Sequence, residues 1–220
     1  MIRAILFDLD GVLVDSEAQE QRLNASFLEE YGYKTDVSAF TSIIGLGAGV
    51  DWRAVLKEHM HPEDDKDELL DRWVELIDRK RDEHPFDEMM FPEVPEVLRR
   101  LKEEGYKLAV CSSSSQNYVD RAIDLCAIRG FLDLAVSGYQ FNRCKPFPDV
   151  YLYARDQFGL KSDECLVVED STNGILAGKN AEMKVAARRD HNFGMDQSQA
   201  DYTIEDLSEL KDVLKKLNEG

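Results

Sequence analysis

The sequence is short of positive charge, with 27 Lys and Arg against 44 Asp and Glu and a formal net charge of −17. Nucleic acids and anionic membrane surfaces both call for a basic footprint, so neither is an expected partner. No stretch reaches the ~20 apolar residues that cross a bilayer. The opening Met1-Ile2-Arg3-Ala4 runs straight into a short apolar segment closed by Asp8, which is not the layout of a secretion signal. Cys111, Cys126, Cys144 and Cys165 are widely spaced and form no C-x-x-C pair. Reduced thiols in a cytoplasmic protein are therefore expected, rather than disulfides or a zinc site. Internal repeats are lacking too, and the longest run of one residue is Ser112 to Ser115.

What is present suffices for a globular protein. Apolar residues make up 43% of the chain and charged residues 32%, a composition that excludes disorder and fibrous structure. A length of 220 residues allows one large domain, or a core carrying a smaller insertion. The acidic balance poses a condition for any anionic substrate: its site must build a local positive potential against the far field.

Short apolar runs recur at Ala4 to Phe7, Leu108 to Cys111, Leu134 to Val136, Cys165 to Val168 and Lys184 to Ala187, each closed by a polar cluster. Helical patterns accompany the later ones. They cover Val94 to Glu104 before Gly105, Tyr118 to Ile128, a segment from Pro148 to before Gly159, one after Asn173, and Leu207 to Leu217. Strands alternating with helices predict an α/β fold with a mainly parallel sheet covered on both faces. From Glu17 to about His84 the rhythm breaks into helical patterns: Glu17 to Glu30 closing at Gly32, Asp51 to His59, and the charged Glu63 to Glu83. This stretch reads as a helical insertion placed after the first strand, above the sheet edge where parallel sheets bind ligands, and hence as a lid. Residues 1–15 and 86–220 then make the core, and residues 16–85 the cap.

The strand ends carry the chemistry. The first delivers Asp8-Leu9-Asp10-Gly11, whose two carboxylates share one side of an extended chain and repel unless a cation or proton intervenes. The second ends in Ser112-Ser113, Lys145-Pro146 follows the third, and Glu169-Asp170 ends the fourth. A parallel sheet gathers all of them at one edge. Together they offer oxygen ligands for Mg²⁺ (Asp8 and Asp170, with Glu169 nearby or acting through water), a phosphate cradle at Ser112 and Ser113, and one ammonium. Asp8 suits the nucleophile in phosphoryl transfer, forming an aspartyl phosphate. Asp10 suits the acid/base, while Lys145 and Mg²⁺ neutralise the phosphoryl charge. Mn²⁺ fits the same oxygens.

Each piece has a plainer reading. D-x-D-G is also a turn, the serine run also a polar loop capping a helix, Lys145 also a solvated lysine, and Glu169-Asp170-Ser171 also a helix N-cap. Their order along successive strand ends is what accident does not easily supply.

This ordered set resembles the haloacid dehalogenase superfamily, in its branch of β-phosphoglucomutases and small-molecule phosphatases. The residues that carry the resemblance are Phe7-Asp8-Leu9-Asp10-Gly11-Val12-Leu13-Val14-Asp15-Ser16, Val110-Cys111-Ser112-Ser113, Lys145-Pro146-Phe147-Pro148-Asp149, Val168-Glu169-Asp170-Ser171, Asn173-Gly174-Ile175 and Ala177-Gly178. The resemblance implies a Rossmann-like core with a four-helix-bundle cap, and the same roles for Asp8, Asp10, Ser112, Lys145, Glu169 and Asp170. It adds the backbone carbonyl of Asp10 as a magnesium ligand. Relatives that act as dehalogenases lack an acid at the position of Asp10, so phosphoryl chemistry is implied.

Relatives that act as mutases carry a histidine where Glu20 stands, and an arginine in the glycine loop that here reads Gly45-Leu46-Gly47-Ala48-Gly49. Losing that cation removes a grip on a second phosphate, so hydrolysis of a small phosphorylated metabolite by a monomer is the favoured expectation. A phosphosugar mutase and an idle binding module remain the alternatives. Substrate choice is expected in the cap, with Glu20, Asn24 and Lys80 as candidates, although Arg79-Lys80-Arg81 also reads as a charged helix face. Trp52 and Trp73 read as cap core, and Pro62 makes His59, His61 and Glu63 an interhelix turn rather than a metal site.

Overall fold

Runs of four to six residues that are apolar throughout, instead of alternating, suit strands buried on both faces. A computed structural model, which describes residues 1–43, 51–81 and 83–219, turns them into such strands. They are β1 (Ala4–Phe7), β2 (Lys107–Ser112), β3 (Leu134–Ser137), β4 (Cys165–Glu169) and β5 (Lys184–Arg188), joined by a shorter, half-exposed strand outside those runs, β6 (Tyr202–Ile204). All pairings are parallel, in the order β3-β2-β1-β4-β5-β6. The central strand β1 has no solvent exposure along its length. Ile5 and Phe7 face one core cluster and Ala4 and Leu6 the other, as a two-residue period requires.

Helices α1 (Ser16–Tyr31), α2 (Trp52–His59), α3 (Lys66–Arg81) and α4 (Phe86–Met89) precede α5 (Val94–Glu103), and α6 (Gln116–Leu125), α7 (Asp149–Gln157), α8 (Thr172–Asn180) and α9 (Leu210–Glu219) follow. The caps explain the boundaries. Asp15 accepts from the Ala18 amide at the start of α1, and Gly32, with φ of 73°, closes it in the left-handed region. Asp51 caps α2 through the Ala54 amide, and Asp65 receives the Glu68 amide at the start of α3. Ser115 caps α6 two residues earlier than the apolar pattern predicts.

Where a four-helix cap is implied, the described residues between β1 and α4 hold α1, α2, α3 and a 3₁₀ stretch, Val37–Ile43. Their apolar faces meet in a cluster of their own, with Phe27, Phe40, Leu56, Leu69, Leu70 and Trp73 at its centre. Trp73 packs edge-on against Trp52, so both tryptophans are core, as expected. Asn24 is a correction: it is 3% exposed and accepts the Trp73 indole N–H at 2.8 Å, which turns it into this cluster rather than toward a ligand. The glycine loop at Gly45, Gly47 and Gly49 lies outside the described residues.

The chain leaves and re-enters the core side by side. The Asp15 amide donates to the Met89 carbonyl at 2.8 Å and the Phe91 amide to that of Leu13 at 3.1 Å. The helical segment is thus rooted at the carboxyl edge of the sheet, one short loop beyond Asp10. All four cysteines are buried and unpaired with one another. No helix among the described residues is long and apolar enough to cross a membrane.

Candidate active site

Strand register brings the site residues together. Phe7 lies opposite both Val110 and Val168, so the next residue, Asp8, emerges at the sheet edge between the ends of β2 and β4. Its amide donates to the Val168 carbonyl at 2.9 Å, and the turn beyond it closes through Leu13 and Val14 onto the Leu9 carbonyl. Gly11 makes that turn possible. Its φ is +73°, and a Cβ there would lie 2.0 Å from Oδ2 of Asp170.

Just beyond β4, Ser171 caps α8 by accepting from the Gly174 amide at 3.1 Å. The cap is Ser171 and not Asp170, whose carboxylate therefore joins those of Asp8 and Glu169, with one oxygen of each within 4.8 Å of the others. Gly174 is equally tied to this arrangement, because a Cβ there would stand 1.7 Å from Oε1 of Glu169.

Lys145 supplies the cation. Its Nζ donates to Asp8 Oδ1 at 2.7 Å, to Glu169 Oε1 at 2.6 Å and to the Cys111 carbonyl at 2.9 Å, which uses all three ammonium protons. Glu169 has no solvent exposure and is saturated. Oε1 also takes the Tyr151 hydroxyl at 3.1 Å, and Oε2 takes the amides of Asp170 and Ser171 and the Ser171 hydroxyl. Asp10 stands apart from the three carboxylates. Its Oδ1 accepts from the Ser16 hydroxyl and from that of Tyr118 at 3.0 Å, and its Oδ2 from that of Ser114 at 3.2 Å.

Three carboxylates and one ammonium, all nearly buried, leave the cluster short of positive charge. Burial pushes the Asp8 carboxyl up to about 7, against the pull of Lys145 and with help from Glu169 and Asp10. Burial also acts to raise Glu169, but Lys145 and the amides outweigh it and hold that carboxyl below the usual range. For Lys145 burial favours the neutral amine, and the two facing carboxylates overcome it and raise its pKa well above the ordinary value. A proton on Asp8 is thus the metal-free answer to crowding. The donor set is all oxygen and anionic, which fits a hard divalent cation that would take the proton's place.

The other sequence candidates divide. Ser112 is 1% exposed and its hydroxyl accepts from the Ser114 amide at 3.0 Å, while Ser113 is half-buried beside it. The serine run therefore does two things, since Ser115 caps α6 while the Ser114 hydroxyl reaches Asp10. Glu20 is half-buried one turn along α1 from Ser16. Lys80 pairs at 2.5 Å with Glu83 on the helix surface and is not drawn into the cluster. Among the described residues, the only metal-suited group of His, Cys, Asp and Glu is the one at Asp8. His61 instead receives the Glu63 amide in its turn.

Three residues escaped the sequence reading, Tyr118 with its hydroxyl on Asp10 among them. Tyr151 sits three residues into α7 and three after Pro148, a spacing that marks the first turn facing the sheet. Gln197 donates at 2.6 Å to the Asp170 carbonyl and at 2.7 Å to that of Arg188, from a polar loop without pattern.

Comparison with known proteins gives the family. The model of the haloacid dehalogenase-like hydrolases matches residues 5–188. A phosphoglycolate phosphatase of Aquifex aeolicus is 33% identical over 215 residues, covering 95% of each chain. A conserved haloacid dehalogenase-like protein of Agrobacterium tumefaciens superimposes with a TM-score of 0.76 at 26% identity, over 99% of this chain and 100% of that one. A β-phosphoglucomutase of Clostridium difficile shares the fold, with a TM-score of 0.75 at 21% identity over 100% and 98%. The chain belongs to the haloacid dehalogenase-like hydrolases, within their small-molecule phosphatase branch.

Proposed function

We propose that this phosphoric monoester hydrolase cleaves small phosphorylated metabolites, sugar phosphates foremost, in two steps through a phosphoaspartate on Asp8. The observation that carries the reading is the buried Asp8 carboxylate, bonded to Lys145 and grouped with Asp170 and Glu169. Asp8, Asp170 and the backbone carbonyl of Asp10 hold Mg²⁺, with Glu169 behind them, its oxygens already taken by five donors. The bound ion supplies positive charge to the phosphoryl oxygens and favours the ionised form of Asp8.

Asp8 attacks phosphorus as the ester bond to the leaving oxygen breaks, and Asp10 gives that oxygen a proton. Asp10 then takes a proton from the water that attacks the phosphoaspartate, freeing phosphate and Asp8. Lys145 neutralises charge on the phosphoryl group, and Ser112 and Ser113 hydrogen-bond it. Residues 16–85 form the cap that closes on small substrates and excludes bulk water, with Glu20 toward the leaving group. Lys80, held by Glu83, is the weaker substrate contact.

The direct test is phosphate release from a panel of sugar phosphates, 2-phosphoglycolate and p-nitrophenyl phosphate, with Mg²⁺ or with EDTA. Metal-dependent release favouring one or two compounds is expected. No release from any compound, with turnover of β-glucose 1-phosphate in a coupled assay, overturns hydrolysis in favour of the mutase. For Asp10, Asp10→Asn is expected to lose about 10²-fold or more on an alkyl phosphate and less on p-nitrophenyl phosphate, whose leaving group needs no proton. Equal losses on the two esters would remove Asp10 from the acid role.

A further inference from the structure

We propose that Tyr151 is a positioning residue of this site, holding the Lys145 ammonium in line with Asp8 through both its hydroxyl and its ring. The inference rests on the phosphatase reading above and adds a residue to it. Tyr151 is without solvent exposure and is the largest fully buried side chain among the described residues. Its hydroxyl donates at 3.1 Å to Oε1 of Glu169, the same oxygen that takes Lys145 Nζ at 2.6 Å. Its ring centroid lies 4.9 Å from that Nζ, within the range of a cation–π contact. One side chain therefore touches both members of the ion pair.

The consequence follows from the ammonium's three protons. Two of its acceptors, Asp8 Oδ1 and Glu169 Oε1, are anionic and compete for it, and the third is the Cys111 carbonyl. A carboxylate oxygen that already receives a second donor attracts the ammonium less. The Tyr151 hydroxyl is that second donor, so it tilts Lys145 toward Asp8 and the phosphoryl group. The ring supplies a fixed wall beside the ammonium, its centroid 4.9 Å from Nζ. A phenylalanine would fill the same volume and keep the wall, but would leave Oε1 to Lys145 alone. The hydroxyl is thus tied to the placement of the cation rather than to packing.

Tyr151→Phe separates these roles. With Mg²⁺ and p-nitrophenyl phosphate, kcat is expected to fall about tenfold with KM unchanged, the size usual for a group that orients a metal-site carboxylate. The loss should be the same on an alkyl phosphate, unlike that of Asp10→Asn, because the placed charge acts on the phosphoryl group. A second measurement needs neither metal nor turnover. In metal-free protein labelled with ¹⁵N-lysine, the buried Lys145 ammonium resonance should shift and exchange faster in Tyr151→Phe than in the wild type. A variant with wild-type kcat and an unmoved Lys145 resonance overturns the proposal, even if its melting temperature drops, and so does a loss confined to KM. Should the wild type itself release no phosphate from the panel, the phosphatase reading falls, and the resonance alone then decides the role of Tyr151.

Discussion

Asp8→Asn is expected to lower kcat by at least about 10⁴-fold while leaving a folded protein, because an amide cannot form the phosphoaspartate. The substitution keeps the shape of the site, and its carbonyl oxygen still accepts from Lys145, 2.7 Å from the present Oδ1. What it removes, besides the nucleophile, is one negative charge from a crowded group. That gives the prediction a second arm in metal-free protein. Unfolded, the Asp8 carboxyl titrates near 3.8, whereas burial pushes it up to about 7 in the folded chain. Between those values the unfolded chain has released a proton that the folded chain retains. The contribution of Asp8 to stability is therefore full below about 3.8 and is lost as pH rises to about 7. Asp8→Asn has no such titration. Its thermal stability in EDTA should fall less over this window and exceed that of the wild type above about pH 7. Thermal melts across the range, beside phosphate release, test both arms. Turnover near one part in a hundred of the wild type would end the nucleophile's claim, and a variant less stable than the wild type at alkaline pH would end the claim of crowding.

The same crowding explains why the site was legible before the fold. Acidic residues at the end of a short apolar run are conspicuous because strands buried on both faces carry no charge elsewhere, as Ala4 to Phe7 shows ahead of Asp8. Five of the six strands could be found as short apolar runs closed by polar residues, and two of these, β1 and β4, are closed by acids. Strand β6 could not, since Tyr202–Ile204 is three residues long, half exposed, and preceded by a polar loop whose shape comes from Asp190 gathering the amides of Asn192, Phe193 and Met195. Asn24 shows a different failure. A polar residue one turn along α1 from Glu20 reads as facing a ligand, yet the Trp73 indole needs a buried acceptor and Asn24 is it. Tyr151 is the converse case, a core aromatic residue that the sequence did not single out, whose single polar atom reaches the site. Periodicity reports which face a residue lies on. It cannot report where a side chain's terminal oxygen ends, which depends on pairings between elements far apart in sequence.

Lys145→Met is expected to cost about 3–5 kcal/mol of stability at neutral pH in EDTA, the usual effect of removing one partner from a buried ion pair. Methionine matches the length of the lysine stem and can lie on the Tyr151 ring, so packing alone predicts a small loss. The charge predicts a large one. Lys145 is 4% exposed and bonds Asp8 and Glu169 at 2.7 and 2.6 Å, and without it these two carboxylates lose the ammonium they share while Asp170 stays close by. Set against a typical domain stability of about 5–15 kcal/mol, such a loss takes a large share. Its pH dependence identifies the cause. Carboxyls without the ammonium titrate higher in the folded chain, so the deficit should be greatest at neutral pH and above and shrink as pH falls and they take up protons. Divalent cation should act in the same direction, so that Mg²⁺ raises the melting temperature of Lys145→Met more than that of the wild type. Turnover should stay at least about 10²-fold down even with the metal present, because the charge on the phosphoryl group is then only partly met. Denaturant unfolding at neutral and mildly acid pH, each with Mg²⁺ and with EDTA, measures all of this. A variant as stable as the wild type at neutral pH without metal would mean that the three carboxylates do not depend on Lys145, and that a shared proton alone relieves them.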